Sequence, residues 1–363
     1  MDESYFLIVG AGLYGCHAAL MLKKMGIKFK IADKSNDFLT GSSSKNQNRL
    51  HLGFHYCRSY NTRHECIEGY EKFRKAYPNA AKPVKNNYYL LHKDSLLDYQ
   101  TYKHIYTHEN ISFYEDPNAN IPFKYNKSMF QGKPLLTNEM FIDPNELKKL
   151  FKSELNDYLI SKYDPNRLII RNEENEDSYI SYNGEQFTNL IDCTYFQLKI
   201  PGNLYKPDIF YELCIAFIYE YKSEETIGFT VMDGPFFSIY PYNIEKQLYS
   251  LTDVEKTPII KTKKIKEIYD KLEYYNDNLD EVIKLRDIFE SRVLEYIPSF
   301  KINFKLKDYY LSIKTKPNLK TDDRSLIHIK VSNNIDSFCG GKLTGIFAME
   351  EILKQVPNYH LIS

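Results

Sequence analysis

The feature that most constrains the fold is a glycine-rich turn between a strand-like and a helix-like segment near the start of the chain. Residues 5–9 form an unbroken apolar run, typical of a buried parallel strand. The turn Gly10-Ala11-Gly12-Leu13-Tyr14-Gly15 follows directly, and apolar residues then recur at three- and four-residue steps up to Met25. Gly26 ends this predicted helix, and residues 27–32 form the next predicted strand. The order predicts a β-α-β unit in a parallel sheet with a right-handed crossover.

The spacing of the glycines matches the G-x-G-x-x-G fingerprint of dinucleotide binding. The first glycine makes the tight turn, the second lets the backbone approach a pyrophosphate, and the third lets helix and strand pack closely. The pyrophosphate then lies at the helix N-terminus, where free N–H groups favour negative charge. Asp33 ends the second predicted strand, 23 positions after Gly10, where a carboxylate can accept hydrogen bonds from a ribose. These features predict a bound dinucleotide; the alternative is a glycine turn in an α/β domain that binds no ligand.

Charge and composition exclude several functional classes. The 363 residues include 48 Lys+Arg and 48 Asp+Glu, so the chain lacks the basic field that nucleic-acid binding uses. No apolar run reaches the roughly 18 residues of a spanning helix, and the N-terminus lacks the basic segment of a signal peptide. The six cysteines show neither a CxxC pair nor metal-ligand spacing. We therefore expect a cytoplasmic protein with reduced cysteines, no metal, no transmembrane segment and no nucleic-acid partner.

Further along the chain, helical and strand-like patterns give way to a strand-rich region. Helices are predicted over residues 58–77, 95–107 and 143–159, and a strand over 86–92. Strands are predicted at 168–171, 188–195, 213–221, 227–232, 236–240 and 247–251, with turns at Asn183-Gly184 and Asp233-Gly234. Residues 261–297 return to helical spacing, and their lysine-rich start, 261–266, is predicted to be a solvated helix face. The end is predicted to be a strand from Leu326, the turn Gly340-Gly341 and a helix to Gln355.

Two further motifs resemble one flavoprotein family. The polar loop at residues 40–48 and the segment after it run from Gly41-Ser42-Ser43-Ser44 to Arg49-Leu50-His51-Leu52-Gly53-Phe54-His55-Tyr56. This stretch resembles the second motif of the superfamily of D-amino-acid oxidase and glycerol-3-phosphate dehydrogenase (the DAO superfamily). Ser337-Phe338-Cys339-Gly340-Gly341-Lys342-Leu343-Thr344 resembles the C-terminal flavin motif of the same superfamily. The resemblance implies FAD rather than NAD as the cofactor, and an FAD-dependent oxidoreductase as the enzyme.

The resemblance also implies a fold class, α/β with two lobes. One is a discontinuous, Rossmann-like FAD-binding lobe, expected to comprise residues 1–80, 140–200 and 320–363. The other is a mixed or antiparallel β-sheet substrate lobe, expected to comprise 81–139 and 201–319. The first lobe must be discontinuous because the turns at 10–15 and 340–342 have to meet on one cofactor.

Cofactor contacts are predicted in five segments of the chain. They are Gly10, Ala11, Gly12, Leu13, Tyr14 and Gly15; Asp33 and Lys34; Ser42, Ser43, Ser44, Asn48, Arg49, Leu50 and His51; Thr194; and Gly340, Gly341, Lys342, Leu343 and Thr344. The serines would donate to the pyrophosphate and ribityl chain. The helix after Gly341 would stabilise the negative charge that reduced flavin carries at its N1 and C2 carbonyl edge. Lys342 would add a full positive charge there, unless it faces solvent.

The predicted catalytic residues are His51, His55, Tyr56 and Tyr240. A histidine with an unperturbed pKa of about 6.5 can take a proton from a substrate amine or hydroxyl. Hydride then passes from the adjacent carbon to flavin N5, while the protein supplies position and polarity. Alternatively, each histidine only packs against the flavin. The two tyrosines are expected to line the site over the flavin.

Substrate anchoring is predicted from Arg49, Arg58 and Arg324, which could clamp a carboxylate or phosphate bidentately. The alternative for each arginine is a surface position or an ion pair. For Arg324, the adjacent Asp322 and Asp323 are the suggested partners.

One position departs from the family pattern, and the mode of flavin attachment has an alternative. At residues 190–196 the family commonly ends a strand with Ala-Thr-Gly, whereas Tyr195 stands where the glycine would be. The flavin is therefore expected to be held differently on that side. Covalent flavin attachment through Cys339, Cys57 or His51 is an alternative implied by some relatives, against the simpler prediction of small buried cysteines.

Three functions stay open on the sequence alone. The first is oxidation of a C–N or C–O bond in a small polar substrate, such as an amino acid, amine, sugar or nucleotide-sugar derivative, with oxygen, a quinone or another molecule as electron acceptor. The second is a flavoenzyme without net redox turnover that resembles UDP-galactopyranose mutase. The third is a catalytically degenerate FAD-binding scaffold.

Overall fold

The computed structural model describes residues 4–171, 177–200, 208–234, 236–318 and 324–355, and every structural statement below concerns these residues. The helices are α1 Leu13–Lys24, α2 Tyr60–Ala76, α3 Tyr99–His108, α4 Pro144–Leu155, α5 Ile265–Asp277, α6 Leu279–Tyr296, α7 Phe300–Asn303 and α8 Gly345–Lys354. The strands are β1 Tyr5–Val9, β2 Lys28–Ala32, β3 Arg49–Leu50, β4 Ala81–Pro83, β5 Asn86–His92, β6 Phe113–Glu115, β7 Phe130–Thr137, β8 Met140–Ile142, β9 Leu168–Arg171, β10 Tyr179–Tyr182, β11 Glu185–Phe187, β12 Asn189–Asp192, β13 Ile209–Glu220, β14 Ile227–Met232, β15 Phe237–Asn243, β16 Leu248–Asp253, β17 Pro258–Thr262, β18 Lys305–Pro317, β19 Ile327–Ser332 and β20 Ile335–Cys339.

The first sheet has the order β19-β20-β12-β1-β2 and is parallel except at its β19 edge. Its strands come from both ends and the middle of the chain, so the chain leaves this sheet and returns to it. Helices α1 and α8 pack together against it, and their apolar side chains join the buried core that includes Phe6 and Ile8. Because β1 and β20 are both parallel to β12, their carboxyl ends reach the same edge of the sheet.

The large sheet has the order β17-β13-β16-β15-β14-β5-β7-β6, and β18 also pairs with β13. All its pairings are antiparallel except the one between β14 and β5. Helices α5, α6 and α7 cover one face, where Phe289, Val293 and Phe300 pack on the aromatic side chains of β13 and β14. This covered face leaves the opposite side of β13 and β18 available to the cleft described below.

Two smaller sheets complete the fold. One has the order β11-β10-β9, with a tight turn at Asn183 and Gly184, both of which have positive φ. The other has the order β3-β8-β4 and ties the segment after the polar loop to residues 140–142. The pairing of Arg49 with Phe141 places residue 139 beside the predicted catalytic segment.

The α/β fold class with mixed and antiparallel sheets is confirmed, and four element predictions need correction. The predicted strand at 188–195 already ends at Asp192, because Thr194 folds back to donate to that carboxylate. Residues 261–297 form two helices interrupted at Asn278. The lysine-rich start is the end of β17 and a turn, not a helix face, although Lys263 and Lys264 are exposed as expected. The last helix begins at Gly345 and not directly after Gly341. Among the described residues, no helix combines the length and apolar character needed to cross a membrane.

Candidate active site

The two glycine turns, more than 320 residues apart in sequence, are in direct contact in the structure. The Tyr14 hydroxyl donates a hydrogen bond of 2.7 Å to the carbonyl oxygen of Lys342. Gly340 leaves room for this ring, because an ideal Cβ at Gly340 would lie 1.8 Å from the Tyr14 hydroxyl oxygen. The fold therefore brings together the N-terminal and C-terminal motifs that the sequence singled out.

A cleft of about 370 Å³ lies where the turns meet, a size within the range of roughly 300–1,000 Å³ typical of ligand sites. Its walls come from the two turns, the polar loop, the catalytic segment and the large sheet. Representative lining residues are Tyr14, Ser43, His51, Ser312, Arg324 and Gly340. Parts of three predicted cofactor segments, 10–15, 42–51 and 340–344, and the predicted substrate residue Arg324 thus face one common space.

The N-terminal turn is shaped by close backbone packing and by one carboxylate. Gly10 has a φ of +106°, and a Cβ at Gly15 would lie 1.8 Å from the Gly10 carbonyl oxygen, so neither position accommodates a side chain. Asp33 accepts a hydrogen bond of 2.7 Å from the Ala11 N–H. The Leu13 N–H at the start of α1 donates to the Ser43 hydroxyl oxygen at 3.0 Å. The polar loop therefore lies against the helix N-terminus, as the prediction of a shared phosphate site requires.

The predicted cofactor residues divide into those that line the cleft and those outside its lining. The first group is Leu13, Tyr14, Ser42, Ser43, Asn48, Arg49, His51, Gly340, Gly341, Lys342 and Leu343. The second group is Gly10, Ala11, Gly12, Gly15, Asp33, Lys34, Ser44, Leu50, Thr194 and Thr344. Several of the second group have structural reasons for their position: Leu50 is in the core, and Thr344 packs where a side chain on Gly69 would be. Lys34 instead donates to the Tyr269 hydroxyl at 2.8 Å.

Lys342 lines the cleft, but its charge is already compensated. Its ammonium group donates to the carbonyl oxygen of Thr62 at 2.9 Å and pairs with Glu65 at 3.2 Å. The side chain is 2% exposed. Lys342 therefore neither faces solvent nor offers an uncompensated positive charge, and both predictions for it need correction.

Arg49 is a buried structural cation and not an open substrate clamp. Its guanidinium donates to the hydroxyls of Tyr89, Thr230 and Ser238 at 2.8–3.0 Å. The ring of Tyr240 lies against it, with 3.7 Å between the guanidinium carbon and the ring centroid. Tyr240 is fully buried and does not line the cleft, so its predicted catalytic position is wrong. Its ring instead packs against the Arg49 guanidinium.

The other two predicted anchors also differ from each other. Arg58 forms an ion pair with the buried carboxylate of Asp233 and lies outside the cleft lining, so the ion-pair alternative holds for it. Arg324 does line the cleft, and its backbone N–H donates to the Thr62 hydroxyl at 3.0 Å. Its suggested partners, Asp322 and Asp323, lie outside the described residues.

His51, His55 and Tyr56 form an aromatic group on the cleft lining. The His51 ring stands edge-on to both His55 and Tyr56, with ring centroids 4.8 Å and 5.4 Å apart. His55 Nδ1 lies 2.7 Å from the Tyr89 hydroxyl oxygen. These contacts fix the orientation of both imidazole rings, so the predicted proton acceptors are held side by side.

Glu139, directly before β8, is a buried acid beside His51 and Arg49 that no motif in the sequence singles out. Its carboxylate is fully buried and accepts from the Leu52 N–H at 2.8 Å and from the Tyr89 hydroxyl at 2.5 Å. Arg49 lies 3.4 Å and His51 Nδ1 3.5 Å from its oxygens. The available signal was indirect: a buried arginine requires a counter-charge, but nothing in the sequence says which carboxylate supplies it.

Burial and neighbouring charges keep both histidines neutral. Burial lowers the pKa of His51; Glu139 raises that pKa without reversing the shift, and Arg49 lowers it further. The pKa of His55 is well below its usual value because of burial and then Arg49. Burial alone would raise the pKa of Glu139, but His51 and Arg49 hold it below the usual value. At neutral pH the site therefore combines a charged carboxylate with two uncharged imidazoles able to accept protons.

Two polar side chains on the cleft lining carry buried atoms that a polar ligand could satisfy. Asn48 is 1% exposed, and its amide nitrogen has no hydrogen-bond partner among the described residues. The Ser312 hydroxyl on β18 is likewise buried and without a partner in this part of the chain. Both residues line the cleft. Since buried polar groups are nearly always hydrogen-bonded, these donors and the side-chain-free turns suit a ligand such as FAD.

Comparison with known proteins identifies the fold. No protein-family model matches the chain. Glycine oxidase from Geobacillus kaustophilus superposes with a TM-score of 0.70 at 10% identity, covering 97% of this chain and 94% of that one. L-alpha-glycerophosphate oxidase from Mycoplasma pneumoniae, solved with FAD bound, gives 0.69 at 13% identity, covering 98% and 95%. The chain has the DAO-superfamily fold.

Curated relatives of the DAO-fold chain are FAD-dependent monooxygenases. FPY4 of Fusarium mangiferae is 28% identical over 356 residues, covering 97% of this chain and 90% of that protein. KojA of Aspergillus flavus is 26% identical over 389 residues, covering 97% and 85%. The predicted DAO-like fold is thus confirmed, and these relatives agree with the predicted cofactor and enzyme class. The comparisons give no support to the mutase alternative.

At the position where a glycine was expected, Tyr195 has a backbone conformation that glycine favours. Tyr195 and the next residue, Phe196, both have a φ of +59°, in the left-handed region that favours glycine. Tyr195 lines the cleft, as does Ser43 of the polar loop. The predicted departure on this side of the cleft is therefore a tyrosine ring beside the polar loop.

The six cysteines of this DAO-fold chain are all buried and form no disulfide. Cys339 lines the cleft, and burial raises the pKa of its thiol to about 12. Cys57 is outside the lining, and burial raises its pKa to about 11. Both thiols are protonated at neutral pH, as expected for small buried cysteines rather than reactive thiolates.

Proposed function

We propose that this chain is an FAD-dependent oxidoreductase that oxidises a C–N or C–O bond of a small polar substrate. The general class agrees with the curated relatives, which are FAD-dependent. The observation that carries the proposal is the meeting of both glycine turns at one cleft that His51 and His55 also line. A cofactor held by the turns would then lie within the same cavity as two neutral proton acceptors.

The residues that would hold FAD come from both chain ends and the polar loop. Leu13, Ser42 and Ser43 would bind the pyrophosphate side, where the start of α1 meets the loop. Asn48 and the turn at 340–343 would bind the flavin side, because the unpartnered Asn48 amide requires an acceptor there. FAD, when bound, supplies the acceptor for the hydride that leaves the substrate carbon.

His51 would take the substrate proton. Its ring is fixed by His55 and Tyr56, and it is uncharged at neutral pH, so it can accept a proton from an amine or hydroxyl group. Tyr56 would shape the same wall of the cleft. Of the three predicted arginines, Arg324 is proposed to contact the substrate because it lines the cleft. Arg58 lies outside the lining, and the Arg49 guanidinium is enclosed by the hydroxyls of Tyr89, Thr230 and Ser238.

The substrate is proposed to be an amino acid, amine, sugar or nucleotide-sugar derivative. The proposal also includes an FAD-binding lobe of residues 1–80, 140–200 and 320–363 and a substrate lobe of residues 81–139 and 201–319. A cytoplasmic location is proposed as well, since six unpaired cysteines suit a reducing compartment. Monooxygenation is a second candidate, favoured by the names of the curated relatives. It differs from simple oxidation in that one oxygen atom of O₂ enters the product.

Purified protein should show bound flavin by absorbance near about 370 and 450 nm. Anaerobic titration with amino acids, amines, sugars and nucleotide sugars should bleach the long-wavelength band with one class, whereas a flavin that no candidate reduces would favour the scaffold alternative. Aerobic turnover under ¹⁸O₂ then separates the two reactions: hydrogen peroxide without label in the product indicates oxidation, and label in the product indicates monooxygenation.

A variant pair tests the role of His51. His51→Gln should keep its flavin and slow anaerobic flavin reduction by roughly 10²- to 10⁴-fold, the usual contribution of a positioned base. His64→Gln is the matched control, because His64 is half-exposed on α2 and pairs with Glu68 away from the cleft lining. Normal reduction in His51→Gln would remove His51 from the mechanism.

A further inference from the structure

Glu139 connects both histidines of the cleft through one buried carboxylate. One oxygen accepts from the Leu52 N–H and faces His51 Nδ1, while the other accepts from the Tyr89 hydroxyl and faces Arg49. An ionised carboxylate has about four acceptor positions and no proton to donate. Leu52, Tyr89 and Arg49 each donate a hydrogen bond to Glu139, and His51 Nδ1 approaches it at 3.5 Å without a hydrogen bond.

Counting protons on Tyr89 fixes the tautomer of His55. The Tyr89 hydroxyl carries a single hydrogen, and the distance of 2.5 Å to Glu139 assigns that hydrogen to the carboxylate. The tyrosine oxygen then accepts from Arg49 at 2.8 Å and from His55 Nδ1 at 2.7 Å. His55 must therefore carry its proton on Nδ1, which leaves Nε2 as the acceptor.

The same reasoning orients His51. Its Nδ1 is buried and lies 3.5 Å from the Glu139 oxygen, with no closer partner among the described residues. Because that oxygen is an acceptor only, a proton on Nδ1 is favoured over a lone pair that faces the carboxylate. The His51 side chain is 19% exposed although Nδ1 is not, so the exposed part of the ring lies on its other atoms.

The two histidines differ in what faces them after they take up a proton. A proton on His51 would lie next to the carboxylate of Glu139, which stabilises an imidazolium as in other carboxylate–histidine pairs. Arg49 and Lys342 also face His51 and oppose its charge, so Glu139 is the group that distinguishes this ring. A proton on His55 would face the neutral Tyr89 hydroxyl and the cations Arg49 and protonated His51. The site therefore favours charge on one ring only.

We propose that Glu139 is a positioning residue that selects His51, rather than His55, as the proton acceptor and holds its Nε2 as the basic nitrogen. This inference rests on the proposed function for the identity of the reaction. The proposed tautomers of the two histidines, and the ring that is protonated first, can be tested whether or not a substrate is known.

A metal ion bound by the same residues is the competing arrangement. Ligand atoms of His51, His55 and Glu139 lie within 4.8 Å of one another. However, both oxygens of Glu139 already accept hydrogen bonds, and the Arg49 cation lies 3.4 Å away, where a second cation would be repelled. The hydrogen-bonded arrangement is therefore the one that the charges favour.

Nitrogen NMR of the holoenzyme labelled with ¹⁵N-histidine tests the proposal without turnover, with signals assigned by His51→Gln and His55→Gln. Both rings should be in the Nδ1–H tautomer, and His51 should protonate at higher pH than His55. Glu139→Gln should convert His51 to the Nε2–H tautomer or lower its protonation pH. Tyr89→Phe should change the His55 signals and leave the His51 tautomer intact. Tyr88→Phe, a neighbouring buried tyrosine bonded to Asp116, should change neither.

Three results would overturn the proposal: His51 in the Nε2–H tautomer in the parent enzyme, His55 protonating first, or His51 signals unaffected by Glu139→Gln. Shifts of both histidines on addition of stoichiometric Zn²⁺ would replace it with a metal site. If a substrate is found, Glu139→Gln should slow flavin reduction by roughly 10²- to 10⁴-fold with little change in KM. Failure to find any substrate would count against the proposed function and leave the tautomer result standing.

Discussion

Replacement of Gly340 by alanine should break the contact that joins the two glycine turns. An ideal Cβ at this position would lie 1.8 Å from the Tyr14 hydroxyl oxygen, well inside the ~3.5 Å at which nonbonded atoms pack. The ring end already packs against Gly345, where it occupies the space that a Cβ would take, with the ideal Cβ position 2.2 Å from the same oxygen. Accommodating the methyl group therefore requires Tyr14 to leave its site and release the carbonyl of Lys342.

The cost follows from these two changes. Overpacking a core position costs about 1–3 kcal/mol, and loss of the buried Tyr14–Lys342 hydrogen bond costs about 1 kcal/mol. We expect Gly340→Ala to lose roughly 2–4 kcal/mol of unfolding free energy in urea titration and to purify with less flavin, because the turns no longer meet.

Gly41→Ala is the matched control within the polar loop. No heavy atom lies within 4 Å of an ideal Cβ at Gly41, so the unfolding free energy should change by no more than about 0.5 kcal/mol. Tyr14→Leu in the Gly340→Ala background should recover part of the loss by removing the clashing atoms. The reasoning is refuted if Gly340→Ala alone keeps parental stability and flavin content, or if Gly41→Ala is equally damaging.

Two further predictions concern the cofactor and pH. Gly12→Val should weaken flavin binding by roughly tenfold or more. An ideal Cβ at Gly12 is already 3.1 Å from the Ser43 hydroxyl oxygen, so the added methyl groups would push Ser43 away from the Leu13 N–H. Unchanged flavin occupancy in this variant would contradict the prediction. His55 has a folded-state pKa below its unfolded value of about 6.5, so the unfolded chain binds more protons and the unfolding free energy should fall as pH drops below about 6.5. Urea titrations at about pH 7.5 and about pH 5.5 should show a smaller difference for His55→Gln than for the parent, and an equal difference would show that His55 does not cause the loss.

Structure close to the motifs could be predicted because it depends on short-range patterning. The apolar run at residues 5–9, the strand at 86–92 and the strand at 227–232 match β1, β5 and β14 in their bounds. By contrast, β18 was not predicted, because lysines interrupt its apolar residues and its stability comes from pairing along β13, almost 100 residues earlier. Pairing between distant segments leaves little trace in either segment alone.

The prediction that three cations offer unpaired charge to a ligand was wrong for a related physical reason. Arg49, Arg58 and Lys342 were each predicted from local sequence to carry a positive charge to a ligand, and each is instead paired with a carboxylate. A buried cation without a counter-charge costs several kcal/mol, so the buried cations Arg49 and Lys342 each come with a carboxylate from elsewhere in the fold. For Arg49 that acid is Glu139, 90 positions away and outside every motif. A cation in a binding motif therefore indicates a paired buried group as readily as a ligand contact, until its partner is known.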